Sequence, residues 1–136
     1  MHEGVHVKDN QEEKDMSEWR RVVVTGLGAV TPVGNNVSET WNSLKNGKNG
    51  IAPITFFDTE GFKAKLAAEV KGFEPKEYLE VNEILRTDRY AQLAVAAAAQ
   101  AVEDSGIEGK VEPEKFGVMF GTGIGGIGTF EVEHTK

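Results

Sequence analysis

Two kinds of apolar run alternate along this chain, and they differ in period. Val22, Val23 and Val24, closed by Thr25 and Gly26, form an unbroken β-branched stretch, the pattern of a strand covered on both faces. Phe116 to Phe120 has the same character. Between them the spacing becomes helical. Val37, Trp41 and Leu44 stand at i, i+4 and i+7, which predicts an amphipathic helix from Val37 to Asn46. Its ends are marked by Asn36 with Glu39 three residues on, a capping arrangement, by Lys45 near the negative end of the dipole, and by Gly47 as a left-handed stop.

A longer helix is predicted from Asp88 to Ser105, ended by Gly106. One face carries Tyr90, Leu93, Ala94, Ala97, Ala101 and Val102, and the opposite stripe carries Arg89, Gln92, Ala96, Ala99 and Glu103. Because even the second stripe is small and uncharged in its middle, the helix is expected to pack on two sides, its alanines admitting close neighbours. Asp88, in its first turn, reads as a complement to the helix dipole. Phe56 to Val70 is less regular, with an edge strand expected near Ala64 to Val70 and a short helix beginning at Pro75. The order strand, helix, strand predicts an α/β architecture with parallel pairing. No internal repeat at a fixed period is present.

Each β-branched run feeds a glycine-rich loop, and glycine lets backbone N–H groups approach a phosphate. Neither loop completes a nucleotide site. In Gly26-Leu27-Gly28 the third glycine of a dinucleotide fingerprint is replaced by Thr31, and Pro32 stands where that fingerprint's helix should already be running. Gly121 to Gly126 fits the spacing, but no lysine follows for a phosphate loop. The first loop's glycines are better read as allowing strand and helix to pack closely.

Composition narrows the function classes. The 136 residues suit one domain, and 39% hydrophobic with 27% charged is ordinary for a globular protein. Fifteen Lys and Arg against 22 Asp and Glu give a net charge of -7, which argues against a nucleic-acid surface or a basic membrane-binding face. Ala91 to Val102 is the longest uncharged helical stretch, well short of the roughly 20 apolar residues of a bilayer span. With no signal-type opening, the cytoplasm is the expected compartment. Residues 1–16 carry Glu3, Asp9, Glu12, Glu13 and Asp15 against Lys8 and Lys14 and too few aliphatic groups to order themselves, so they are expected to be a disordered charged tail, with Met16 as a candidate natural start.

Catalytic chemistry is notable for what is missing. There is no cysteine, which excludes disulfides, thiolate metal sites and a thiol nucleophile within these residues. Of the three histidines, His2 and His6 lie in the charged tail and His134 lies near the end. Glu131, Glu133 and His134 do not converge on one point of a helix, so no metal site is expected. Trp41 reads as a helix anchor.

The run Arg21-Val-Val-Val-Thr-Gly-Leu-Gly-Ala-Val-Thr-Pro-Val-Gly-Asn35 resembles the N-terminus of the β-ketoacyl-[acyl-carrier-protein] synthases. Trp41 through Ile51, Phe57-Asp58-Thr59, Asp88 with the alanine-rich helix ending Glu103-Asp104-Ser105-Gly106, and Gly121-Thr-Gly-Ile-Gly-Gly-Ile-Gly128 follow in that family's order. The resemblance spans residues 17–136, and Gly-Ile-Gly-Gly followed by Glu133-His134-Thr135 looks most like the elongating subclass, synthase 2.

The resemblance implies a thiolase-like α/β fold, with residues 17–136 forming the N-terminal part of the first of two similar halves in a homodimer. It implies condensation of acyl and malonyl units carried on acyl carrier protein, using a cysteine thiolate, backbone oxyanion donors and two histidines. It implies no cofactor. In relatives the cysteine falls roughly thirty residues beyond Lys136, so no catalytic residue carries over. Ile124 matches the family residue lining the acyl pocket, where a β-branched side chain amid glycines can limit chain length; on its own chemistry it reads better as core filler. The family's carrier-protein docking patch is basic just before the long helix, and here only Arg86 and Arg89 stand there among Val81, Asn82, Glu83 and Leu85. Two other readings share these landmarks: a polyketide-pathway ketosynthase, and a non-catalytic, chain-length-factor-like dimer partner.

Overall fold

Helix-forming signals concentrate between Asp88 and Gly106, and that stretch is the spine around which the rest is arranged. The computed structural model describes residues 21–136; the charged tail read at 1–16, with the Met16 start, lies outside the described residues. In chain order the elements are α1 (Val37–Lys45), β1 (Ile51–Pro53), β2 (Leu66–Ala68), α2 (Val81–Ile84), α3 (Arg89–Ser105) and α4 (Ile127–His134), with 3-10 turns at Pro75–Glu77 and Pro113–Lys115.

Helix α1 starts and stops where its signals lie. Asn36 is the N-cap, its side-chain oxygen accepting the Glu39 N–H at 2.8 Å, an interaction of about 1 kcal/mol. The Glu39 carboxylate reaches back one residue further than a standard capping box, accepting the Asn35 N–H at 2.8 Å. Gly47 takes φ 65 and ends the helix. The tight turn Thr31–Gly34, closed by Thr31 N–H to the Gly34 carbonyl at 2.8 Å, occupies the place where a dinucleotide fold would have begun its helix.

β1 and β2 pair antiparallel, with Ile51 opposite Ala68 and Pro53 opposite Leu66, and β2 lies inside the edge strand expected at Ala64 to Val70. The predicted parallel sheet is not formed: this hairpin is the only ladder among the described residues. Among the described residues Val22 to Thr25 and Phe116 to Phe120 find no strand partner, and their side chains are open, Val22 at 90% and Met119 at 96% exposure. β-branched and aromatic residues favour extended backbone, but a ladder also needs a partner at about 4.8 Å. Here Thr25, at the end of the first segment, and Phe116 to Phe120 line a groove of about 440 Å3 together with Ala97, Ala101 and Val102 of α3.

The two-sided packing of α3 is present, with its depths reversed from expectation. Ala96 is fully enclosed and Gln92 is buried, both on the stripe read as the more polar one, whereas Tyr90 on the predicted core face is partly exposed. The reason is hydrogen bonding. The Gln92 amide donates to the Ile84 and Thr87 carbonyls at 3.1 and 2.9 Å, and Gln100 donates to the Asn35 carbonyl at 2.8 Å and to Tyr78 Oη at 3.0 Å while accepting the Ala29 N–H at 3.2 Å. Satisfied amides are cheap to bury, and these draw the surrounding loops onto that stripe.

On the other side, Gly26 and Gly28 lie flush on the helix. A Cβ on either would collide with the carbonyls of Ala101 or Ala97, which is the close approach expected of the first glycine loop. Gly106 closes α3 with φ 55.

Helix α4 was not foreseen. Its N-cap is Gly126, and Gly128, Thr129 and Val132 are weak helix formers, so no local propensity or capping signal announces it.

Candidate functional site

Three features meet around the start of α3: the residues just before it, the hairpin beside it, and the second glycine loop with α4. Arg86 is exposed in the turn after α2. Arg89 is committed: its guanidinium donates to the Val70 carbonyl at 3.1 Å and lies 5.7 Å from the centroids of both Phe56 and Phe73. Such cation–π contacts contribute about 0.5–1 kcal/mol each at exposed positions. Phe73 in turn stacks on Tyr78 at 6.2 Å, and Tyr78 Oη reaches Gln100. The first turn of α3 is thereby fastened to the loop after β2.

The hairpin is locked by Glu69. Its carboxylate accepts the Thr55 N–H at 2.9 Å and the Thr55 hydroxyl at 2.7 Å. Those donors, the backbone one first, hold its pKa below the ordinary 4.5 against the opposing effect of burial, with smaller help from the Phe56 N–H and Lys71.

The second glycine loop carries Ile124, whose side chain is 78% exposed and lines a cavity of about 330 Å3 with Gly126, Ile127 and Phe130. Gly125 takes φ 72 beside the Tyr90 ring. Nearby, Tyr90, Ala94, Val95, Val118 and Phe120 border a larger apolar hollow of about 740 Å3 along α3. Ile124 and the arginines are therefore brought to one end of α3 but do not touch. His134 stacks on Phe130 at 5.9 Å, and no cluster of three metal-ligating side chains occurs among the described residues. No described helix is long and apolar enough to cross a membrane.

Residue reasoning missed Glu69 and Gln100. For Gln100 a signal existed: Gln92, Ala96 and Gln100 repeat every four residues in an otherwise alanine-rich helix, which marks one stripe able to hold buried amides. For Glu69 there was none, because its partner Thr55 lies across a turn of irregular sequence.

An exposed apolar loop thus lies beside a helix whose alanines admit close packing. Solved ketosynthases resemble this chain: the ishigamide ketosynthase/chain length factor aligns with a TM-score of 0.67 and 35% identity over 85% of this chain and 29% of that one. A β-ketoacyl synthase from Burkholderia phymatum aligns at 0.54 and 31% over 67% of this chain and 22% of its own. Residues 19–136 match the family described as Beta-ketoacyl synthase, N-terminal domain, and the chain belongs to that family. Among curated relatives, 3-oxoacyl-[acyl-carrier-protein] synthase 2 of Coxiella burnetii is 48% identical over 81% of this chain and 27% of its own length. The Staphylococcus aureus (strain COL) protein of the same name is 42% identical over 89% of this chain and 30% of its own. The chain thus spans about three-tenths of the length of these relatives.

Proposed function

We propose that this chain supplies the N-terminal part of the first thiolase-like α/β half of an elongating 3-oxoacyl-[acyl-carrier-protein] synthase, acting as a cytoplasmic homodimer with acyl carrier protein. In that reaction a cysteine thiolate displaces the carrier thiol from an acyl thioester. Malonyl carrier protein then loses carbon dioxide, and the resulting enolate carbon bonds to the acyl carbonyl, expelling the cysteine thiolate and leaving a 3-oxoacyl carrier protein. The observation that carries this reading is the family match over residues 19–136, together with 48% identity to a synthase 2 relative over 81% of the chain. With no cysteine in 136 residues, the nucleophile must come from other sequence. Ile124, presented at a small apolar cavity, is the acyl-pocket residue, and exposed Arg86 with the outer edge of Arg89 is the carrier-docking surface.

The test is biochemical. The 136-residue chain alone should release no carbon dioxide from malonyl carrier protein and form no ketoacyl product; ketoacyl product from the purified chain would refute the reading. A second reading, a non-catalytic chain-length-factor-like partner, is favoured by the ketosynthase/chain length factor neighbour. Reading the coding sequence past codon 136 separates them: a cysteine at the nucleophile position supports the synthase, and another residue there supports the partner.

A further inference from the structure

Helix α3 opens on a carboxylate that does not cap it. Asp88 has the extended backbone of an N-cap, φ -72 and ψ 157, and its carbonyl accepts the Ala91 and Gln92 N–H groups at 3.0 and 3.1 Å, yet its side chain bonds none of the helix's own first-turn amides. Aspartate is among the best capping side chains, so its diversion calls for another partner. That partner is 41 residues away: the hydroxyl of Thr129, third residue of α4, donates to Asp88 Oδ1. Gly126, the N-cap of α4, lies so close under the same carboxylate that a Cβ there would collide with it. A negative charge at the start of α4 also complements that helix's dipole. Beside Asp88, Arg89 is held by Val70, Phe56 and Phe73, so the carboxylate projects from a fixed support onto a loop whose glycines are otherwise largely free of neighbours.

We propose that Asp88 is the positioning residue of the acyl-pocket loop: by holding Thr129 and seating over Gly126, its carboxylate sets where Ile124 stands. This rests on the reading of Ile124 as the acyl-pocket residue. The rival role, service to α3 alone, makes different demands on the neighbours.

Hydrogen exchange of the 136-residue chain distinguishes them. Asp88→Ala and Thr129→Val should each raise exchange across residues 121–130 by about tenfold, with no further rise in the double variant, because the two act through one contact. Thr129→Ser, which keeps the hydroxyl, should restore protection. Loss confined to residues 89–92 in Asp88→Ala, an unchanged loop in Thr129→Val, or effects that multiply in the double variant would overturn the proposal. In the complete synthase carrying this segment, Asp88→Ala and Thr129→Val should shift the activity ratio between short and long acyl carrier proteins in one direction, with Thr129→Ser keeping the wild-type ratio. A loosened loop with an unchanged ratio would overturn the link to Ile124. Absence of condensation in the complete wild-type protein would count against the proposed function instead, and the exchange result would still decide the role of Asp88.

Discussion

The two glycine-rich loops follow similar apolar runs and both end up against α3, but they use glycine differently. Gly26 and Gly28 lie against the C-terminal half of the helix, where any Cβ would strike the carbonyls of Ala101 and Ala97. The loop between and after them is held by the Leu27 N–H to the Asp104 carboxylate at 2.9 Å and by the Ala29 N–H to Gln100. In the second loop Gly121, Gly123 and Gly128 have nothing near their missing side chains, and only Gly125 and Gly126 meet neighbours, at the N-terminal end of the helix. The first loop is a packing surface, pinned along its length. The second is tethered at one point and presents Ile124 outward. A glycine motif by itself does not distinguish close packing from freedom to present a side chain; the neighbouring helix does.

The largest test of that contrast is Gly28→Ala against Gly121→Ala. The former should cost at least about 3 kcal/mol, since a backbone carbonyl cannot move aside as a side chain could. The latter should stay within about 0.5 kcal/mol. Urea unfolding followed by circular dichroism reads both, and similar costs would erase the distinction between the loops.

Gln100→Leu comes next. It keeps an apolar stem but strands the Ala29 N–H and the Asn35 carbonyl, and should cost about 2–3 kcal/mol in the same titration. A loss below about 0.5 kcal/mol would mean that glycine packing alone holds the first loop.

Acid should act locally, away from both loops. The Thr55 donors favour ionised Glu69 in the folded hairpin. Its contribution is therefore complete above the ordinary carboxylate pKa of 4.5 and is lost as pH falls from there through the lower folded value. Protection of the Ile54 and Thr55 amides, measured relative to their intrinsic exchange rate at each pH, should fall over that range, and Glu69→Gln should abolish that change in protection. A loss of protection that persists in Glu69→Gln would assign it to another group.

The smallest effect carries the opposite sign. Gly128 sits in the first turn of α4 facing open space, so Gly128→Ala should stabilise by about 0.5–1 kcal/mol. Destabilisation in thermal melting would show that the second loop is more closely packed than its geometry implies.

Local signals alone determined α1 and α3. Asn36, Gly47 and Gly106 act within a few residues of themselves, so these caps and stops were legible to within a residue. The family was legible too, because its landmarks are short runs in a set order. Tertiary structure decided the rest. Whether Val22 to Thr25 and Phe116 to Phe120 become paired strands depends on a partner at hydrogen-bonding distance, which β propensity cannot specify, and among the described residues neither has one. Gln100 is half-buried against the carbonyl of Asn35, 65 residues away, a partner that no local signal supplies. Asp88 looked like a helix-start residue and is one, but the direction of its carboxylate was decided by the arrival of Gly126 and Thr129. Capping is written in adjacent residues, whereas pairing, burial and the aim of a side chain are properties of neighbours that only the folded chain brings together.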